Sequence, residues 1–218
     1  MTGGTLRRLG RLRADATAVA ATEFALAMPF LLTLTVGMTE LANYVLVREQ
    51  VSQLALLISD NAARIGTQNH LQSAIDERQI NDLLDGANLQ AGNLDLLHNG
   101  RIILSSLEKD PTAPYGQYIH WQRCFGNQPT ASAFGPQGTG KGNTDLAGMG
   151  RSGALVQATA TVPVIYVEIQ YNYQPIIGSF GLMPTNIVET SAMQVRDSRD
   201  LSGTGINPVT GVTARTCT

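Results

Sequence analysis

From Ala16 to Thr39 the chain is apolar or small throughout, apart from one carboxylate at Glu23. A helix of that length, rising about 1.5 Å per residue, can cross the roughly 30 Å hydrocarbon core of a bilayer once. Arg7, Arg8, Arg11 and Arg13 precede the run and Glu40 follows it. That asymmetry predicts a cytoplasmic basic leader over 1–15, a transmembrane helix over 16–39, and export of everything beyond. A small-x-small cleavage site of the secretory kind does not follow the apolar core, because Met38 passes into Thr39, Glu40 and Leu41. The run therefore reads as an uncleaved anchor. Pro29 removes one backbone donor and predicts a kink of the sort membrane helices tolerate.

Beyond the span, Tyr44, Val47, Val51, Leu54, Ile58, Ala62 and Ile65 recur at steps of three and four. This spacing predicts that the helix continues over 40–66 as an amphipathic stalk ending at Gly66, with Arg48, Glu49, Gln50, Ser52 and Gln53 on its other side. The apolar stripe packs either on its own domain or on the same helix of a neighbouring subunit. Residues 67–201 read as a small, mainly antiparallel sheet domain, so the fold class is α+β. A short helix is expected over 76–84, with Ile80, Leu83 and Leu84 inward and Gly86 ending it. Asn99-Gly100 reads as the turn of a hairpin joining 94–97 to 101–107. Further strands are expected over 118–124, 165–173 and 186–196; in the second of these, Ile165, Val167, Ile169, Tyr171 and Tyr173 alternate with polar neighbours, as for one buried face. Glycine and polar residues near 127–152 predict a flexible surface loop, and 202–218 a tail of similar character.

The formal net charge is −2. Acidic residues outnumber basic ones beyond Glu40 and no basic run occurs there, which argues against nucleic acid as a partner. Cys124 and Cys217 both fall on the side predicted to be exported, where an oxidising compartment would let them pair. Gly135, Gly140 and Lys141 match the spacing of a phosphate-binding loop. However, Gly142 replaces the hydroxyl residue that would hold magnesium, and no hydrophobic strand leads in. His70, His98 and His120 lack the short spacing of metal ligands, and no Gly-x-Ser-x-Gly elbow marks a nucleophile. Trp121, Tyr118 and Tyr115 suit a core beside a sheet better than a ligand groove. No enzyme activity, cofactor, metal or small-molecule substrate is therefore expected.

The stretch Ala20-Ala21-Thr22-Glu23-Phe24-Ala25-Leu26-Ala27-Met28-Pro29-Phe30-Leu31-Leu32 resembles the amino-terminal signature of TadE-like pilus-assembly proteins. These are minor pilins or pseudopilins of the tight-adherence (Flp) pilus system. Asn61-Ala62-Ala63-Arg64-Ile65-Gly66 looks like the end of that family's long helix, and Val167-Glu168-Ile169-Gln170-Tyr171 is similar to a late strand. The resemblance implies cleavage by a prepilin peptidase between Ala18 and Val19, with Ala18 standing where the family usually has glycine. Glu23, followed by Phe24, would then occupy the fifth mature position and set subunit register by pairing with a neighbour's terminal amine in lipid. Ala16, Ala18, Ala20 and Ala21 would let helices approach closely. The resemblance further implies a single-pass protein of the bacterial inner membrane, amino terminus cytoplasmic and carboxy-terminal domain periplasmic. Its partners would be other pilins and pilus-assembly proteins. The alternatives are an anchored periplasmic binding or interaction domain unrelated to pili, using the 127–152 loop as its contact surface, and an anchored hydrolase.

Overall fold

The computed structural model describes residues 16–66, 74–113, 116–178 and 183–217. The basic leader, His70 and Tyr115 lie outside them. The architecture is α+β, as the sequence predicts: a long amino-terminal helix followed by an antiparallel sheet. The chain divides into two compact units, Met1–Tyr44 with Pro175–Met183, and Val45–Gln174 with Pro184–Thr218.

Helix α1 runs unbroken over Ala16–Arg64, and its Val19–Arg64 portion is long and apolar enough to cross a membrane. In hydrocarbon every polar group needs an internal partner. Threonines along the described span meet this need within the helix. Thr33 donates to the Pro29 carbonyl at 2.7 Å, Thr35 to Leu31 at 2.8 Å and Thr39 to Thr35 at 2.9 Å. Pro29 sits inside α1 without ending it. The helix stops at Arg64, short of the expected Gly66, after a last backbone bond from Ile65 to Asn61.

The second unit is built on a four-stranded sheet of β1 (Gly100–Lys109), β2 (Gln117–Phe125), β5 (Val164–Asn172) and β6 (Asn186–Gln194), in the order β2-β1-β5-β6. All neighbours are antiparallel. A small hairpin of β3 (Met149–Arg151) and β4 (Ala154–Val156) lies apart. One sheet face carries Ile102, Leu104, Trp121, Val167 and Ile169, all buried. Ser191 and Glu189 stand opposite Val167 and Ile169, hence on that face, and α1 reaches both of them. Ser59 shares a 2.7 Å hydrogen bond with Ser191, and Arg48 pairs with Glu189 at 2.7 Å. The stripe from Val51 through Leu54, Ile58 and Ala62 is thereby buried on its home sheet.

Several local expectations are corrected. Gly86 does not end the second helix: α2 spans Glu77–Gln90, because Ala87 continues the buried spacing of Ile80 and Leu84, and Leu83 is only half-buried. Asp76 and Gln79 start it with a reciprocal capping box. The Asn99-Gly100 hairpin is absent. A 3-10 turn (Gly92–Leu94) and a one-turn helix α3 (Leu96–Asn99) bury Leu94 and Leu96 instead, and Gly100 opens β1, whose partners are β2 and β5. Asp95 makes this possible with a left-handed φ of 46°, its carboxylate held by the His98 ring at 2.8 Å. Burial of two leucines outweighs a local turn preference.

The segment expected as a flexible loop near 127–152 covers the second face of the sheet. Leu146, Met149 and Ala158 join Leu107, Ile119, Val164 and Tyr166 in one apolar cluster, and Phe134 meets Tyr166 edge-on at 5.2 Å between centroids. Strand β5 therefore buries Tyr166 and Glu168 as well as the alternate set, which is why its single-face expectation fails. The tail is strapped down likewise. Ile206 is buried, Asn207 N–H bonds Ile75 at 2.8 Å, Cys124 N–H bonds Arg215 at 2.8 Å, and Cys217 is disulfide-bonded to Cys124.

Ile58 is fully buried while Leu56, two positions away, is 55% exposed. In denaturant unfolding of the detergent-solubilised chain, Ile58→Ala is expected to cost about 2–5 kcal/mol. Leu56→Ala should change stability by less than about 0.5 kcal/mol. Equal effects would mean that the stripe does not face its home sheet.

Candidate functional site

Glu23 lies within the apolar half of α1. Helical spacing sets Ala20 and Ala27 one turn to either side of it on one face, and all three are exposed. Phe24 is 60% exposed next to it. Glu23 makes no hydrogen bond or ion pair among the described residues. A carboxylate inside hydrocarbon costs about 2.5–3.5 kcal/mol even on forgiving scales, so a partner or a proton must offset it. The alanines leave room for another helix to come close at that level. Ala18 and Val19 are consecutive residues of α1, so the bond between them is helical backbone.

The carboxylate at the other border of the span, Glu40, enters the sequence reading only as the charge that follows the apolar run, with no partner assigned to it. Glu40 is only 6% exposed. Its Oε2 accepts the backbone N–H groups of both Ile176 and Ile177 at 3.2 Å, within the first compact unit.

In the sheet domain, the features weighed from sequence resolve into structural roles. Trp121 and Tyr118 are buried. The glycine-rich stretch that resembles a phosphate loop lies along β2, with Ile119 N–H bonding Thr139 at 3.0 Å and Gly138 N–H bonding Ile119 at 2.8 Å. Gly140 has φ 86° and approaches so closely that a Cβ there would lie 2.2 Å from the Gln117 carbonyl oxygen. Its glycine is explained by packing. Among the described residues no group of three or more His, Cys, Asp or Glu side chains could hold a metal ion.

Two buried polar clusters were not anticipated. Glu168 accepts from the Ser132 hydroxyl and from Ala133 N–H at 3.0 Å; burial raises its pKa, and these two donors oppose the rise. His120 bonds the Glu108 carboxylate through Nδ1 at 2.8 Å and the Gly203 carbonyl through Nε2 at 3.1 Å. The Gly203 carbonyl can only accept and so can an ionised Glu108, so beside the carboxylate both ring nitrogens donate, as the imidazolium does. The Glu108 hydrogen bond accordingly raises the His120 pKa, against burial and the charge of Lys141.

Among the described residues, one apolar helix fit to span a bilayer, bearing a carboxylate without a partner there and followed by an antiparallel sheet, supports a single-pass anchored α+β protein. Residues 18–56 match the family model described as TadE-like protein. The match runs from the expected cleavage point through Glu23, Pro29 and Glu40 into the buried stripe. No curated protein and no solved structure matches.

Because the folded-state pKa of His120 is raised, its contribution is complete below the ordinary histidine value of about 6.5 and is lost as pH rises through the folded-state value. Thermal melts of the wild type should thus show stability falling on the alkaline side of that value, and His120→Gln should flatten this dependence. An unchanged profile in His120→Gln would show that another group is responsible.

Proposed function

We propose that this chain is a minor pilin or pseudopilin, without enzymatic activity, that acts in assembly of a tight-adherence pilus. In this reading it sits in the inner membrane with its amino terminus cytoplasmic and its sheet domain periplasmic, the orientation that Arg7, Arg8, Arg11 and Arg13 favour. The observation that carries the reading is Glu23: an exposed carboxylate, flanked by Ala20 and Ala27, on the apolar half of the helix that matches the family.

The mechanism follows from spacing. Prepilin peptidase cutting between Ala18 and Val19 would leave a new terminal amine four residues before Glu23, about 6 Å along the helix axis. A neighbouring subunit shifted by about one helical turn would bring its amine level with this Glu23. Opposite charges in hydrocarbon attract far more strongly than in water, so the pair would favour one stagger over all others. The sheet domain supplies no such register, since its own helix stripe is consumed at home.

Replacing Glu23 by Ala or by Gln at unchanged protein level is expected to remove most surface fibres seen by electron microscopy and to weaken adhesion. Mass spectrometry of the mature protein should find an amino terminus at Val19. Normal fibres in both variants would defeat the register mechanism and favour an anchored interaction domain unrelated to pili.

A further inference from the structure

We propose that the β5–β6 connection around Ile176 and Ile177 is a second membrane contact, seated in the headgroup–acyl boundary of the leaflet from which α1 emerges. This inference is independent of any role in pili; it needs only that α1 spans a bilayer.

Position comes first. Glu40 immediately follows the apolar run that ends at Thr39, so it marks the border of the hydrocarbon. Its carboxylate holds the backbone of Ile176 and Ile177 at 3.2 Å, which fixes those residues at the same depth. Both belong to the compact unit that contains the membrane helix.

Chemistry comes second. Ile176 is 65% exposed and Ile177 42%, and Met38 and Leu41, on either side of Glu40 in α1, are exposed as well. From Pro175 to Pro184 the sequence contains no charged residue. Two adjacent β-branched side chains in water would be an unfavourable exposure; at a lipid boundary the same area is favourable.

The backbone gives the third argument. A loop entering a water-poor layer must bring partners for its N–H groups, because lipid offers none. Pro175 has no N–H, and those of Ile176 and Ile177 are both taken by Glu40. This short stretch therefore needs no water as a donor partner. The arrangement also accounts for a carboxylate kept almost wholly buried at the end of a membrane span. Glu40 acts here as a positioning residue for the loop.

The test uses the full chain in phosphatidylcholine–phosphatidylglycerol vesicles. Among the described residues there is no free cysteine, so a single introduced cysteine can be spin-labelled specifically. Labels at Ile176→Cys, at Leu34→Cys on the span and at Leu155→Cys on β4 are compared for relaxation by oxygen, which concentrates in lipid, and by a water-soluble nickel chelate. The expected result is that the Ile176 label resembles the Leu34 label, relaxed by oxygen and protected from nickel. Resemblance to the Leu155 label would overturn the proposal. So would protection from both reagents with dipolar broadening between copies, which would assign the patch to a second copy of the chain. Adding Glu40→Ala should cost the Ile176 label its protection from nickel and leave the Leu34 label unchanged. Glu40→Gln, whose amide oxygen still accepts, should retain more of that protection. An Ile176 label indifferent to Glu40→Ala would refute the positioning role.

Discussion

Everything in this protein depends on one helix satisfying two solvents in succession. Over its first half α1 has no water to lean on, so its hydroxyls bond back into its own turns, as Thr33, Thr35 and Thr39 do. Over its second half a one-sided apolar stripe begins, and Val51, Leu54 and Ile58 pass under the sheet. The change from apolar all round to apolar on one side occurs without a break in hydrogen bonding. The two charged groups of the helix that lie within or beside the apolar run, Glu23 and Glu40, meet that requirement in opposite ways: one lacks a partner among the described residues, while the other is engaged by a loop.

The sheet is covered on both sides, and by different means. On the helix side, aliphatic residues of β1 and β5 meet α1, with Ser59 and Ser191 making a buried polar contact. Arg123 of β2 pairs within the core with Glu77, in the first turn of α2, tying the second helix to the edge strand. On the far side, the cover is mostly backbone and polar side chains around a small apolar cluster, so Glu168 and Gln122 can be buried with partners. Buried polar groups of this kind cost stability if left unmet, which ties the path of the 127–158 segment to the residues beneath it.

What could be read from the sequence follows from how local the governing interactions are. The membrane span, the stripe and the strands β2, β5 and β6 announce themselves through composition or period over ten or so consecutive residues. The cover over the second face does not, because Phe134, Leu146 and Met149 are spaced too widely to form a pattern and their partners lie on other strands. The false hairpin shows the reverse error: Asn99-Gly100 is a sound local signal, overruled by the burial of Leu94 and Leu96. At the candidate site, Glu23 was legible as a lone charge in an apolar run. The Glu40 contact spans 136 positions in sequence, and only the charge-free stretch after Tyr173 hinted at where its partners lie.

The clasp between Cys124 and Cys217 bridges 93 positions and joins an edge strand to a segment that follows every strand in the chain. It cannot close before β6 has been made, since its second sulfur follows that strand. Strands β1, β2, β5 and β6 are therefore all present in the chain before the bond can form. The border of β2 away from β1 is meanwhile occupied by backbone, since Gln117, Ile119 and Cys124 donate there to Leu146, Thr139 and Arg215.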